Sequence, residues 1–312
     1  MMNRREFIKI TACASLGSLL LSGCRTQGSQ TQTTPRKTAA AEGAAPAITD
    51  LIVAEGNDPT ATLSKGIDAL GGIGKFVKQG DRVVLKPNFS VPRLPEEACT
   101  TNPVLVASLV KMCLQAGARE VKVIDHPFTN PIICLEKTGI KNAVTGAGGK
   151  IYTLNNGIDK YFSEVQTNGP ALSAIYFSKD VLEADVFINM PILKHHYITE
   201  VTMGLKNMMG LVWDRGIFHT CDINQCIAEL SAVKKPSLTI LDALRGITAS
   251  GPYGPGPIKE YNQLVFGTDP VAVDAYGAFL FGKKPIKIHY LRMAAEMGVG
   301  LIDWEKLNVK RV

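Results

Sequence analysis

The sequence predicts an α/β domain over residues 50–312, built on a mainly parallel or mixed sheet with helices on both faces. Three observations carry that reading. Short apolar runs alternate along the chain with amphipathic stretches of helical length. Pro103 and Pro270 stand at first helical positions, directly behind the capping residues Asn102 and Asp269. The composition, 46% hydrophobic and 20% charged, is that of a globular chain able to bury a sizeable core.

Taken in order, the β-rich runs place strands over 51–54, 82–85, 121–124, 150–154, 174–177, 185–189, 238–241 and 264–266. Apolar periodicity places helices over 61–77, 103–116, 194–209, 223–233, 270–281 and 288–297. Gly117 stands where a glycine cap would close the second helix. Residues 151–178 suit an antiparallel excursion, and the Gly/Pro-rich 250–257 stretch an irregular loop.

The N-terminus reads as an address. Asn3-Arg4-Arg5-Glu6-Phe7-Ile8-Lys9 resembles a twin-arginine export signal. The apolar run that follows is shorter than the roughly 20 residues needed to span a bilayer. It ends in Leu21-Ser22-Gly23-Cys24, which resembles a bacterial lipobox with Cys24 as the lipidated residue. The expected organisation is a signal peptide over 1–23, a tether over 24–49 and the folded domain from 50. Thr, Gln, Ala, Gly and Pro dominate the tether, which has too few large apolar groups to order itself. The expected partners are the twin-arginine export machinery and, through the lipid, a membrane; the expected location is the cell envelope outside the cytoplasm.

Loss of Arg4, Arg5, Lys9 and Glu6 with the signal would lower the net charge from +6 to +4. That balance is mild and unclustered, which argues against nucleic acid as a partner. None of the seven cysteines forms a Cys-x-x-Cys pair, so the chain lacks a ferredoxin-type iron–sulfur motif and names no cofactor. Cys113 falls on an apolar helix face, and Cys221 and Cys226 are spaced for a disulfide in an oxidising compartment.

Four predicted strands end in polar residues: Lys86 and Asn88, Asp125 and His126, Asn189 followed by Lys194-His195-His196, and Asp242. Open parallel sheets bind ligands at their carboxyl ends, where such groups converge. On the helix expected over 194–209, His195, Thr199, Thr202 and Lys206 would share one face, with His195 rather than His196 turned inward. Amines of Lys86, Lys194 and Lys206 beside amides of Asn88, Asn189 and Asn207 suit a small anionic ligand, carboxylate or phosphate. Thr202 and Asp274 complete the expected binding set, Asp269 being the cap of its helix. His195 backed by Asp125 is the expected proton-transfer pair. His195, His196 and His219 with Asp125, Asp269 or Asp274 would supply enough metal ligands, but no recognised metal spacing links them. Walker A, nucleophile-elbow and dinucleotide-fingerprint motifs are absent. Two readings stay open: an enzyme, or relic of one, acting on a small anion, and a non-catalytic ligand- or metal-binding lipoprotein or accessory of a redox complex.

Val84-Leu85-Lys86-Pro87-Asn88, Thr101-Asn102-Pro103, Ile188-Asn189-Met190-Pro191-Ile192-Leu193-Lys194, the run from Val201 to Gly210, and Asp269-Pro270-Val271-Ala272-Val273-Asp274 occur in this order. Together they resemble the DUF362 family, a domain of unknown function, over roughly residues 50 to 285. The resemblance implies a site shared with that family and names no chemistry. Some members carry an iron–sulfur segment whose cysteines this chain lacks.

The address generates a direct expectation. Cys24→Ala should move the protein out of the membrane fraction or block its processing, and Arg4→Lys with Arg5→Lys should stop export. Normal export of the double variant, read by fractionation and immunoblot, would contradict the signal.

Overall fold

Alternation along the central strands sorts the core onto two faces. Val83, Leu85, Val121, Val123, Ile188 and Met190 pack on one side of the sheet; Val84, Ile124 and Phe187 pack on the other. This period of two, apolar in both directions, marks strands buried on both faces. A computed structural model describes residues 51–312 except Asn156 and Asn168. The twin-arginine stretch, Cys24 and the 24–49 tether lie outside the described residues.

The strands are β1 (Leu51–Glu55), β2 (Arg82–Pro87), β3 (Glu120–Asp125), β4 (Lys150–Thr153), β5 (Phe162–Gln166), β6 (Ala174–Ser178), β7 (Val186–Met190), β8 (Lys194–His196), β9 (Glu200–Thr202), β10 (Leu238–Ile247), β11 (Ile258–Gly267) and β12 (Val309–Arg311). The helices are α1 (Pro59–Ala69), α2 (Pro103–Gln115), α3 (Pro131–Lys137), α4 (Ile140–Gly146), α5 (Ile158–Tyr161), α6 (Lys179–Glu183), α7 (Gly204–Asn207), α8 (Ile223–Val233), α9 (Pro270–Leu280) and α10 (His289–Glu296).

Eight strands form one sheet in the order β12-β1-β11-β10-β7-β2-β3-β4. Every neighbouring pair is parallel except those made by β11, which runs reversed between β1 and β10. The mainly parallel, mixed α/β sheet is therefore the fold. Helices α1, α2 and α4 cover one face. Helices α8, α9 and α10 and the β5–β6 hairpin cover the other, so the excursion expected over 151–178 is antiparallel.

Local chemistry sets the helix starts. Asn102 accepts from the Val104 N–H, and Asp269 accepts from Val271 and Ala272, each capping a helix whose next residue is proline. The helix expected over 61–77 stops at Ala69, because Gly71 and Gly72 turn the chain at φ +97° and +88° and only a 3-10 turn follows. Cys113 is buried in the core, and Cys221 is disulfide-linked to Cys226. Among the described residues no helix is long and apolar enough to cross a membrane.

The largest correction concerns 194–209, which is not one helix. It is a β8–β9 hairpin, then the single turn of α7, then a 3-10 turn over Met208–Leu211. Tyr197, Ile198, Thr199, Val201 and Thr202 are aromatic or β-branched and favour extended backbone. Glu200 enters the second strand at φ +63°.

Candidate functional site

Strand register brings the first polar residues together. Lys86 at the end of β2 lies opposite Asn189 on β7, and β3 delivers Asp125 beside them. Lys86 Nζ stands 2.7 Å from Asp125 Oδ1, with both side chains buried. The same carboxylate accepts from the backbone N–H of Phe89 and His126 and from Ser90 Oγ. Burial pushes the Asp125 carboxyl upward, but the Lys86 charge and these hydrogen bonds outweigh it and hold the group below the usual carboxylate range. Asp125 is therefore ionised and fully occupied.

Asn207 locks the next layer. Its Nδ2 donates to Lys86 O and to Asn189 Oδ1, while its Oδ1 accepts from Lys86 Nζ and Asn88 Nδ2. Two glycines allow this approach. A Cβ on Gly204 would lie 2.8 Å from Asp274 Oδ1, and a Cβ on Gly210 would lie 2.8 Å from Lys86 Cε and collide with Asp125. Asp274 in turn accepts from the N–H groups of Gly204 and Leu205, which fixes the start of α7.

Hairpin register decides which residues face outward from this platform. Lys194 pairs with Thr202, His195 with Val201 and His196 with Glu200. Side chains alternate along a strand, so Lys194, His196 and Thr202 share one face, and His195 turns away with the core residue Val201. Lys194, His196 and Thr202 line a cleft of about 350 Å³, together with Asn88, Ser90, Lys206, Asn207, Arg215 and His219. Phe128, Tyr197, Ile198 and Tyr253, all partly exposed, complete an apolar rim, and Phe128 meets Tyr253 edge-on at 5.0 Å.

The cleft is cationic. Among the described residues no Asp or Glu lines it, whereas Lys194, Lys206 and Arg215 do. Lys194 Nζ donates to Asn88 Oδ1, Cys99 O and Pro252 O, which uses its three protons. Burial and the nearby Lys86 charge bring it down to about 8 despite opposing pulls from Cys99 and Asp125. Lys206 has only the Met209 thioether, 3.3 Å away, as a hydrogen-bond partner among the described residues. Burial, then the charge of Lys194, lowers it to about 7. Arg215 donates to the carbonyls of His126 and Pro127, and its three other N–H bonds have no partner among the described residues. His196 Nδ1 accepts from the N–H groups of Ile198 and Thr199, so its proton sits on Nε2. Burial, then the lysine charges, pushes this imidazole down to about 3, and it enters the cleft as a neutral donor. Thr202 Oγ1 is buried and has no hydrogen-bond partner among the described residues.

Of the expected binding residues, Asn88, Lys194, Thr202, Lys206 and Asn207 line this one cleft. Lys86 and Asn189 lie beneath it as supports of Asn207. The expected His195–Asp125 pair does not form: His195 Nδ1 accepts from the Gly251 N–H, and Asp125 is bound to Lys86. His196, not His195, is the inward histidine, because the segment has strand rather than helix period. Asp274 is also corrected. It caps α7 instead of facing the ligand, and burial raises it to about 7. Asp242 holds the Asn102 and Leu244 N–H groups. For the histidines and aspartates weighed as possible metal ligands, among the described residues no group of three or more His, Cys, Asp or Glu side chains is placed to hold a metal. Sequence reasoning missed Arg215, which sits in a 3-10 turn whose start is fixed by Asp214. No periodicity marks such a turn.

The family described as a domain of unknown function, DUF362, matches residues 83–279. A thylakoid-associated protein of Synechocystis sp. is 28% identical over 249 residues, which are 77% of this chain and 75% of that protein. The lactate racemase apoprotein of Thermoanaerobacterium thermosaccharolyticum superposes with a TM-score of 0.49 at 13% identity. That match covers 75% of this chain and 56% of the racemase, so this chain spans little more than half of its length.

The buried pair yields a stability expectation. Lys86→Met strands the Asp125 charge, and Asp125→Leu strands the Lys86 ammonium; each should cost about 3–5 kcal/mol in guanidinium unfolding. The double variant should lose clearly less than the sum of the two. Additive losses would show that the pair does not act as a unit.

Proposed function

This chain belongs to the DUF362 family, a domain without an assigned function, and from that premise we propose that it holds a small anionic molecule in the cleft between the β8–β9 hairpin, α7 and the Arg215 turn. One observation carries the reading: three cationic side chains line the cleft and no carboxylate does. The carboxylate beneath the cleft, Asp125, is paired with Lys86. A desolvated excess of positive charge is costly unless an anion completes it. Arg215, the Nε2–H of His196 and the Thr202 hydroxyl offer directional donors for carboxylate or phosphate oxygens. The aromatic rim suits a ligand with a compact apolar part beyond its acidic group. Titratable groups this close together, with shifted values, favour an enzyme over a passive carrier.

The proposal includes the address. A lipid on Cys24, after twin-arginine export, would place the cleft at a membrane surface in the cell envelope. In support, the Synechocystis relative is named for its association with thylakoids.

Sulfate keeps constant charge near neutrality and is a clean probe. Lys206 and Lys194 are protonated below about 7 and about 8 and lose their charge above those values. Sulfate affinity, measured by calorimetry, should therefore be highest near pH 6 and fall about ten-fold or more by pH 9. Lys206→Met should lower the affinity at pH 6 by a similar factor and flatten the dependence. Absent binding, or binding indifferent to both pH and Lys206, would overturn the reading.

A further inference from the structure

Holding an anion does not explain Lys206. Arg215 already supplies a permanent charge, with three N–H donors that have no partner among the described residues. Lys206 is buried and, among the described residues, has no carboxylate partner and only the soft sulfur of Met209 as a hydrogen-bond partner. Lys194 shares its cleft and repels a second proton on it. Desolvation together with a neighbouring cation is how proteins make a lysine nucleophilic. Thr202, on the same cleft, carries a buried hydroxyl with no hydrogen-bond partner among the described residues.

We propose that Lys206 forms an imine with the carbonyl carbon of a small 2-oxo acid whose carboxylate is held by Arg215. The inference rests on the anion-binding reading and names the substrate class of that site. The neutral amine adds to the carbonyl carbon, forming the C–N bond of a carbinolamine. The carbonyl oxygen then departs as water, taking the two hydrogens that the amine supplied, and the carbon–nitrogen double bond closes. No electrons are gained or lost, and no co-reactant is needed. The Thr202 hydroxyl, on the same cleft, is the group assigned to hydrogen-bond the departing oxygen. The Nε2–H of His196 adds a neutral donor that does not compete with the amine for the carbonyl. Uptake of one proton from solvent by the imine nitrogen gives an iminium, which withdraws electrons from the adjacent carbon and is the basis of decarboxylation, aldol and proton-transfer chemistry on 2-oxo acids.

The test is reductive trapping on the full chain with pyruvate and sodium cyanoborohydride, followed by peptide mapping. The expected result is one carboxyethyl adduct, on Lys206, formed at least about ten-fold faster than at any surface lysine and suppressed by sulfate. Its rate should rise between about pH 6 and about pH 8, opposite in direction to sulfate affinity, because the neutral amine reacts. Lys206→Arg should abolish the adduct while circular dichroism shows a folded protein. Sulfate binding with no preferential labelling of Lys206 would overturn the imine and leave the anion site standing. Failure of both sulfate binding and labelling would overturn the two together.

Discussion

The buried contact between Lys86 and Asp125 is the constraint on which the site depends. It joins the carboxyl ends of two adjacent parallel strands, β2 and β3, and pairs the Asp125 charge with that of Lys86. Three hydrogen bonds and one ion pair hold that carboxylate, so its hydrogen-bonding capacity is used beneath the cleft. Lys194, Lys206 and Arg215 are left facing a space with no counter-charge of its own. The electrostatic character of the cleft follows from this single pairing rather than from the mild net charge of the chain.

Backbone geometry then places the groups. Asn207 ties α7 to the ends of β2 and β7 with all four of its hydrogen-bonding valences used, and Gly204 and Gly210 provide the clearance. Asp274, on a helix far away in sequence, fixes the first turn of α7 through two backbone N–H groups. The hairpin before α7 presents Lys194, His196 and Thr202 by strand alternation. Lys86, Asp125, Asn189 and Asp274 thus support the cleft without lining it, while Asn88 and Asn207 connect them to the groups that do.

The fold was largely legible because its signals are local. Proline after Asn102 or Asp269 marks a helix start, and apolar runs bounded by turns mark strands buried on both faces. The meeting of Lys86, Asn88, Asp125, Lys194, Lys206 and Asn207 was legible for a topological reason: a parallel sheet gathers its carboxyl ends on one edge. The hairpin was not. His195, Thr199, Thr202 and Lys206 fit a helical face, while Lys194, His196 and Thr202 fit a strand face, and periodicity alone cannot decide between them. The β-branched content of the segment favoured the strand, and that signal was available. Asp274 as a cap and Arg215 as a cleft residue depend on long-range contacts that no local pattern encodes.

The claim that an anion completes the cleft is tested most directly by anomalous diffraction from crystals grown with selenate. The account predicts a selenium peak inside the cleft, within hydrogen-bond reach of Lys206 Nζ and the Arg215 guanidinium, with the Lys86–Asp125 contact intact beneath it. Selenate found only on the outer surface, with a coordinated cation between His196 and His219, would contradict it.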